Sequence, residues 1–259
     1  MRAVIVAGGK GVRLHPLTKV LPKPLIPLSD LPILEIILRQ LSDFGYTHVT
    51  LSLGYRGSFI YHYFGDGDWL GLKIDYTYED EPLGTAGPLR LVKNLDEPFL
   101  FMNADVLTDL DFRHFYQIHT KSDALATIML YNHELNVGFG IIETDEAGHV
   151  TGYKEKPKQL YPISSGIYML SRGAVAYVKD KPLDMPDLIM SLLLDGQSVQ
   201  SYFHQGIWMD IGTLPQLQEA GKVFEENRSM FLQEKILKQT SNGAGSARVD
   251  GKVSKWIGK

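Results

Sequence analysis

Short apolar runs and turn residues alternate along the first half of the chain. The run at 2–7 is rich in β-branched residues, and it is long enough for a buried central strand but too short for an independent helix. Similar runs at 48–53, 73–78 and 98–103 predict further strands. Because helical or loop stretches separate these runs, the pattern predicts an α/β fold with a mostly parallel, Rossmann-like sheet and helices on both faces.

The connecting segments carry helical patterns. Apolar residues recur every three or four positions over 32–44, which predicts a helix with Pro32 at its start and Gly45 after its end. Segments 56–64 and 87–93 are predicted to be helical or loop connections. Ligands of such sheets bind at the carboxyl ends of the strands, so we expect the site there.

From residue 124 onward the pattern changes to strand-like runs joined by short turns. Runs at 124–131, 139–143, 150–155 and 165–170 predict a small antiparallel insertion. No flexible linker separates this insertion from the first half, so we expect the two to pack as parts of one domain.

The last part of the chain is predicted to be mostly helical. Pro186 lies in the first turn of a helix predicted over 184–194, and a longer helical region is predicted from 213 to about 239. Residues 241–259 are rich in Gly, Ser and Lys and are predicted to form a flexible tail.

Composition narrows the classes of function. The 259 residues are 44% hydrophobic and 22% charged, which is ordinary for a globular chain with a substantial core. The net charge of −4 argues against a nucleic-acid partner, and the absence of cysteine excludes disulfides, thiolate zinc sites and cysteine nucleophiles. No signal sequence or membrane-length apolar stretch is apparent, so we expect a cytoplasmic protein without a membrane partner.

Glycines follow the first predicted strand. Ala7 is followed by Gly8, Gly9 and Gly11, whose missing Cβ atoms let backbone N–H groups approach an anion closely. Positive charge lies nearby at Lys10, Arg13, Lys19 and Lys23. The segment therefore predicts a phosphate-binding loop.

Two common phosphate-binding motifs do not fit this loop. A P-loop requires Gly-Lys-Ser/Thr at the end of the glycines, whereas Val12 and Arg13 follow Gly11. A dinucleotide fingerprint requires a third small residue where Leu14 stands, which argues against a nicotinamide-dependent dehydrogenase.

The segment from Gly8 to Thr18 is GGKGVRLHPLT, and Pro-Lys-Pro follows at 22–24. This pattern resembles the signature of the sugar-1-phosphate nucleotidylyltransferases, or NDP-sugar pyrophosphorylases. The later stretches LGTAGPL, NADV, EKP, SGIYML and WMDIGT extend the resemblance to about Ala220. The first four of these look most like the mannose- or heptose-1-phosphate guanylyltransferase branch. The resemblance implies a GT-A-like nucleotidyltransferase fold, and we expect no left-handed β-helix of the kind that longer relatives append.

The resemblance also implies a division of labour along the chain. It makes 1–240 a nucleotidyltransferase domain, with a nucleotide-binding half at about 1–123, a sugar-binding half at about 124–212 and terminal helices at about 213–240. Nucleotide contacts are implied for Ala7, Gly8, Gly9, Gly11, Arg13, Gly84, Thr85, Gly87, Asn103 and Asp105.

A metal pair and a sugar-phosphate site complete the implied set. Asp105 follows the strand predicted at 98–103, where a carboxylate suits Mg²⁺ but also suits an ordinary turn. The family motif pairs it with Asp210 as the second metal ligand. Gly140, Glu155, Lys156 and Ser165 match the family's sugar-phosphate contacts, and catalysis is implied for Arg13, Lys23 and Asp105.

The implied reaction joins a nucleoside triphosphate, with GTP favoured, to a mannose- or heptose-like sugar 1-phosphate, giving an NDP-sugar and pyrophosphate. Thymidylyl, uridylyl and cytidylyl transfer to glucose-type sugar phosphates stay open, because those relatives share almost all of these residues. The family's many dimers and tetramers make a homo-oligomer compatible with the resemblance.

Two positions depart from the family pattern. Val12 replaces the usual Thr or Ser, and this loss of a hydroxyl keeps open a catalytically weak sensor of sugar nucleotides. The Ser164-Ser165 pair replaces the frequent Asn or Thr, so the identity of the sugar stays open.

Overall fold

The computed structural model describes residues 1–179 and 182–232. Its strands and helices, in chain order, are β1 (Arg2–Ala7), β2 (Pro27–Leu28), β3 (Leu31–Pro32), α1 (Ile33–Asp43), β4 (His48–Leu53), α2 (Gly57–Phe64), β5 (Lys73–Tyr78), β6 (Phe99–Asn103), β7 (Val106–Thr108), α3 (Phe112–Thr120), β8 (Ala126–Asn136), β9 (Ile141–Thr144), β10 (Val150–Lys154), β11 (Lys158–Leu170), α4 (Arg172–Val175), α5 (Met185–Leu194), β12 (Val199–Phe203), β13 (Trp208–Asp210), α6 (Leu214–Glu226) and α7 (Arg228–Phe231).

In the described part of the chain, seven strands form one sheet in the order β12-β8-β11-β6-β1-β4-β5. β1 runs parallel to β4 and β6, β4 runs parallel to β5, and β12 runs parallel to β8. Only β11 is antiparallel to its neighbours, β6 and β8. The carboxyl ends of β1, β4, β5 and β6 therefore meet at one edge, which is where α/β sheets bind ligands.

Both faces of the sheet are buried. Ala3 and Ile5 of β1 pack into an apolar cluster with α1 and α3, whereas Val4 packs into a second cluster with α5 on the opposite face. Successive residues of a strand point to opposite faces, so a strand covered on both sides needs a nearly continuous apolar run. This burial explains the pattern at 2–7 and confirms the predicted mostly parallel sheet with helices on both faces.

The prediction for the second half was wrong in one respect. β8 and β11 are not part of a separate antiparallel insertion, because they are hydrogen-bonded members of the main sheet. β11 begins at Lys158 and not at Ser165, and its register with β8 shifts between Ser164 and Tyr168. Among the strands described between residues 124 and 170, only β9 and β10 form a small antiparallel ribbon outside the main sheet.

Several elements were not predicted from the sequence. α3, which buries Phe112 and Phe115, and the edge strand β12 carry weak apolar patterns because much of each element is exposed. The predicted terminal helical region begins as α6 and α7, while its remainder beyond residue 232 and the tail predicted at 241–259 lie outside the described residues. Within 1–179 and 182–232, no helix has the length and apolar character needed to cross a membrane.

Candidate active site

A two-stranded antiparallel ribbon brings the two predicted metal ligands together. Asp105 directly precedes β7, and Asp210 is the last residue of β13. Asp210 pairs with Val106, and the backbone N–H of Ile211 donates to the carbonyl oxygen of Asp105 at 3.0 Å. The ribbon therefore places the two aspartates beside each other although they are far apart in sequence.

Lys23 is a buried cation that lies beside the two aspartates. Its side chain comes from a 3₁₀ turn, Lys23–Leu25, and its Nζ lies 2.5 Å from Asp105 Oδ2. Lys23 is only 9% exposed, whereas lysine rarely loses its water unless it is paired. Burial and the neighbouring Asp105 charge raise the pKa of Asp210, while Lys23 and Arg13 act to lower it.

Arg13 approaches the ribbon from the glycine loop. A Cβ atom at Gly212 would lie 3.0 Å from Arg13 Nη2, so the glycine after the Asp210 motif leaves room for the guanidinium. Arg13 itself is exposed and lines the cavity described below. The site thus combines two carboxylates with two cations.

The glycine loop keeps its shape through close backbone contacts. Gly11 has a φ of +59°, and its carbonyl oxygen accepts a 2.9 Å hydrogen bond from the Thr18 hydroxyl. A Cβ atom at Gly8 would lie 2.7 Å from Glu79 Oε1 and 3.3 Å from the backbone nitrogen of Gly54. These two positions therefore need glycine, the first for its conformation and the second for its close approach to two other strand ends.

A cavity of about 730 Å³ lies between this loop and Asp105, at the carboxyl ends of β1, β4, β5 and β6. Most of the predicted nucleotide and catalytic residues line it: Ala7, Gly8, Gly9, Gly11, Arg13, Lys23, Gly84, Thr85, Asn103 and Asp105. The volume is in the range of small-molecule and cofactor sites. The remaining predicted residues lie outside this lining: Gly87, Gly140, Glu155, Lys156, Ser165 and Asp210.

The LGTAG segment is braced by the start of α5. The Thr85 hydroxyl accepts from the backbone N–H of Met185 at 2.8 Å, and the N–H of Gly87 donates to the carbonyl oxygen of Leu183 at 3.0 Å. A Cβ atom at Gly84, which has a φ of +79°, would lie 2.6 Å from that same Leu183 oxygen. The N–H of Gly87 thus stabilises the wall of the cavity. The sequence alone did not distinguish this role from direct contact with the nucleotide.

Glu79 is a cavity residue that the sequence interpretation missed. It directly follows β5, and its Oε2 accepts from the backbone N–H of Leu83 at 2.8 Å. Burial raises the pKa of the Glu79 carboxyl, and the Leu83 hydrogen bond opposes this shift. Its only sequence signal is its position at a strand end just before the Glu81-Pro82 motif.

The predicted sugar side forms a separate cluster on β10 and the turn after it. The Tyr153 hydroxyl donates to Glu155 Oε2 at 2.8 Å, and Gly140 lies against Tyr153 so closely that a Cβ atom would collide with the ring hydroxyl. Lys156 has a φ of +43° and lies 3.9 Å from Glu155 through its Nζ. Both charged side chains are exposed, so they are accessible to a ligand.

Ser165 differs from the rest of the predicted sugar set because it is 2% exposed. Its hydroxyl donates to the carbonyl oxygen of Met129 at 2.8 Å, and its own carbonyl oxygen accepts from Trp208 Nε1 at 3.0 Å. Gly166 follows with a φ of +77°, and a Cβ atom there would lie 2.7 Å from the side-chain nitrogen of Asn103. Ser165 therefore shapes the irregular part of β11 beside the site.

Comparison of the sequence with known protein families identifies the family of the chain. The sequence profile described as nucleotidyl transferase matches residues 2–227. The chain belongs to the nucleotidyl transferase family.

Named relatives agree with this family. The chain is 34% identical over 218 residues to the mannose-1-phosphate guanylyltransferase catalytic subunit beta of Drosophila pseudoobscura pseudoobscura, a match that covers 82% of this chain and 59% of the relative. The chain thus spans about three fifths of the length of such curated relatives.

Solved structures agree on the fold. A putative glucose-1-phosphate thymidylyltransferase from Bacillus anthracis, in complex with a sucrose, has a TM-score of 0.69 at 23% identity, covering 86% of this chain and 95% of its own. HddC from Yersinia pseudotuberculosis complexed with GMP-PN has a TM-score of 0.62 at 26% identity, covering 86% and 99%. The family and fold predicted from the motifs are confirmed.

The residues of this site fit a divalent cation. Asp105 Oδ1 is a buried oxygen that has no hydrogen-bond partner within the described residues. No group of three or more His, Cys, Asp or Glu side chains suited to a metal occurs in 1–179 and 182–232, so the protein offers two carboxylates, Asp105 and Asp210. Mg²⁺ commonly takes one or two carboxylates and completes its shell with water and substrate phosphates.

Proposed function

We propose that this chain transfers a nucleoside monophosphate from a nucleoside triphosphate to a sugar 1-phosphate, releasing pyrophosphate. The observation that carries the proposal is the juxtaposition of Asp105, Asp210, Lys23 and Arg13 beside a cavity that the glycine loop lines. Two carboxylates and two cations beside a phosphate-sized loop suit the handling of polyphosphate charge.

In the proposed reaction an oxygen of the sugar phosphate attacks the α-phosphorus of the triphosphate. The new P–O bond forms as the bond to the bridging α,β-oxygen breaks, and pyrophosphate carries away that electron pair. The attacking phosphate is largely dianionic near neutral pH, since its second pKa is about 6, so it needs positioning more than a general base. Arg13 and the loop N–H groups would stabilise the leaving pyrophosphate, and Lys23 would support the reacting phosphates.

Asp105 and Asp210 would hold Mg²⁺ in this proposal. When bound, the ion neutralises phosphate charge and polarises the α-phosphate for attack. Removal of divalent ions with a chelator is therefore expected to abolish turnover while leaving the chain folded.

The sugar side of the proposal uses the cluster around Glu155. Lys156 would pair with the phosphate of the sugar 1-phosphate, and Glu155 would accept hydrogen bonds from sugar hydroxyls, as the family motif implies. Gly140 leaves the space that this arrangement needs. The division into a nucleotide-binding half, about 1–123, and a sugar-binding half, about 124–212, is part of the same proposal, as is a cytoplasmic location.

The cavity also supports a choice of base. Guanine presents two neighbouring donors, N1–H and the 2-amino group, which match the two oxygens of a carboxylate. Glu79 lies in the wall of the cavity beside Gly8 and Gly84, where the family places the base. Uracil and thymine present one N–H flanked by two carbonyl oxygens, which suit an amide better. We therefore favour GTP, together with a mannose- or heptose-like sugar 1-phosphate.

One observation favours a second candidate. Val12 lines the cavity and is 60% exposed, so the hydroxyl that the family usually carries there is missing at an accessible position. Loss of this one hydrogen-bond donor would cost on the order of 1–2 kcal/mol of binding or transition-state stabilisation. A catalytically weak sensor of sugar nucleotides would retain the same pocket.

The test is a pyrophosphate-release assay with Mg²⁺, in which GTP, dTTP, UTP, CTP and ATP are crossed with mannose, heptose, glucose and N-acetylated sugar 1-phosphates. Turnover with one pair, lost in Asp105→Asn, is the expected result. Binding of an NDP-sugar without release from any pair would overturn the enzyme and favour the sensor.

The base preference has its own test. Glu79→Gln is expected to lower kcat/KM for GTP by about 10- to 100-fold and to improve UTP or dTTP, because the amide offers one acceptor and one donor. Glu81→Gln, which changes another acidic residue of the same lining, is the matched control. An unchanged ratio of GTP to UTP in Glu79→Gln would remove Glu79 from base selection.

A further inference from the structure

A largely buried histidine–aspartate pair closes the outer end of the β7/β13 ribbon. Asp109 follows β7, and His204 lies just before the turn that leads into β13. His204 Nε2 lies 2.8 Å from Asp109 Oδ1, and the two side chains are 9% and 13% exposed. The pair lies at the end of the ribbon away from Asp105 and Asp210, and it touches neither aspartate among the described contacts.

The Asp109 carboxylate organises the whole turn. Its Oδ1 also accepts from the backbone N–H of Ile207 at 2.7 Å, while its own N–H donates to the carbonyl oxygen of Ile207 at 3.3 Å. His204 Nε2 faces two acceptors, Asp109 Oδ1 and the Ile207 oxygen at 3.2 Å, so this nitrogen carries the proton. Gly206 is pressed against the carboxylate so closely that no larger residue fits there.

The same turn fastens the ribbon to the main sheet. The backbone N–H of His204 donates to the carbonyl oxygen of Leu130 in β8 at 2.9 Å. From the other side, the side-chain amide of Gln40 in α1 donates to the carbonyl oxygen of Thr108 in β7 at 2.8 Å. The ribbon has only three residue pairs of its own, so these ties supply much of what fixes its position.

Register decides whether the two aspartates meet. A slip of one residue in a strand turns every side chain to the opposite face, and a three-pair ribbon specifies its register weakly. In the observed register, Asp210 pairs with Val106 and lies beside Asp105. The Asp109–Ile207 hydrogen bonds join the next pair along the ribbon and set that register from its outer end.

We propose that Asp109, with His204, is a positioning residue for the Asp105–Asp210 pair and acts by fixing the register of the ribbon. The inference rests on the proposed function only in assigning a metal to that pair. Asp109 touches no substrate-binding residue described above, so its effect would pass through the ribbon alone.

The experiment compares Asp109→Ala with Asp109→Asn and with the control Asp111→Ala. Asn keeps an oxygen that can accept from Ile207 and His204, so it should restore much of the wild-type behaviour. Asp111 offers a matched carboxylate two residues away, which accepts from the backbone N–H of His114 at 2.8 Å and caps α3 without touching the ribbon. Both Ala variants therefore remove an Asp-to-backbone hydrogen bond, but only one of them removes it from the ribbon.

Two readouts separate positioning from general stability. Without metal or nucleotide, hydrogen exchange of the Ile211 amide, which is bonded to Asp105, should speed up at least tenfold in Asp109→Ala and stay near wild type in Asp109→Asn and Asp111→Ala. With Mn²⁺ as the probe, the dissociation constant measured by electron paramagnetic resonance should rise at least tenfold in Asp109→Ala alone.

Either readout can overturn the inference. If a folded Asp109→Ala keeps either wild-type Ile211 exchange or wild-type Mn²⁺ affinity, or if Asp111→Ala shifts both readouts equally, Asp109 is only a structural residue. Because the exchange readout needs no turnover, failure of the proposed reaction in the pyrophosphate assay would leave this test intact.

Discussion

Lys23 is expected to hold two carboxylates together before any ligand binds, and Lys23→Met tests this. The variant keeps an unbranched side chain of similar length but removes the charge that lies 2.5 Å from Asp105. Breaking a buried ion pair by removing one partner costs about 3–5 kcal/mol. The Asp105 side chain is 25% exposed and keeps some water, so we expect the lower end, about 3 kcal/mol of unfolding free energy at pH 8.

The sign of the pH dependence follows from Asp210. Its pKa is already raised by burial and by the Asp105 charge, and Lys23 is one of the groups that lower it. Without Lys23 this pKa rises further above the unfolded value of about 3.9. A carboxyl with a raised pKa destabilises the fold progressively as pH rises from the unfolded to the folded pKa, and fully above both. The loss in Lys23→Met should therefore be smaller at pH 5 than at pH 8.

Urea unfolding at the two pH values, in a chelator and without nucleotide, measures both quantities. Lys19→Met is the control, because this neighbouring lysine is exposed and should change the free energy by no more than about 0.5 kcal/mol. The reasoning is refuted if Lys23→Met loses as little as the control, or if it loses the same amount at pH 5 and pH 8.

Three further predictions concern the cavity. Val12→Thr restores the missing hydroxyl and should raise kcat/KM in the pyrophosphate assay by about 5- to 30-fold, equivalent to 1–2 kcal/mol. An unchanged kcat/KM would mean that the side chain at position 12 does not reach phosphate. Gly8→Ala places a methyl group 2.7 Å from Glu79 Oε1, so calorimetry should show GTP binding weakened at least tenfold, whereas Gly9→Ala, with open space around its Cβ, should still bind. Burial raises the pKa of Glu79, so the KM for GTP should increase as pH falls through that pKa, and Glu79→Gln should lose this pH dependence. An identical pH profile in both proteins would contradict the role of Glu79 in binding the base.

The sequence predicted the parts of the site that lie on short loops after strands. The Gly8 loop follows β1 and Asp105 follows β6, and β1 pairs directly with β6 in the sheet. Parallel strands bring such loops to one edge whatever the details of packing, so the prediction of a parallel sheet was enough. The same reasoning could not distinguish Gly87, whose N–H turns to Leu183, from a residue that faces the cavity.

What the sequence could not predict depends on contacts between distant segments. Glu79 has no sequence signal beyond its position at a strand end, and its closeness to Gly8 arises only in the fold. Asp109 meets His204 across 95 positions. Neither residue belongs to a motif with a chemical pattern of its own. Likewise, β11 was predicted as a short strand at 165–170, since its first half, from Lys158, is mostly exposed and Pro162 interrupts its apolar residues.

Lys23 has two partners to neutralise, one in the structure and one in the proposed reaction. Its Nζ is bonded to Asp105 in the structure, yet the proposed reaction asks the same ammonium group to support phosphate oxygens. Lys23 can serve the phosphates only when another cation neutralises Asp105. Without such a cation, the Asp105 and Asp210 carboxylates would lie together uncompensated, at the same cost in free energy as that expected for Lys23→Met. In the proposed function, a divalent ion held by Asp105 and Asp210 would neutralise both carboxylates, including Asp105 Oδ1, which has no hydrogen-bond partner within the described residues, and would free Lys23 for the phosphates.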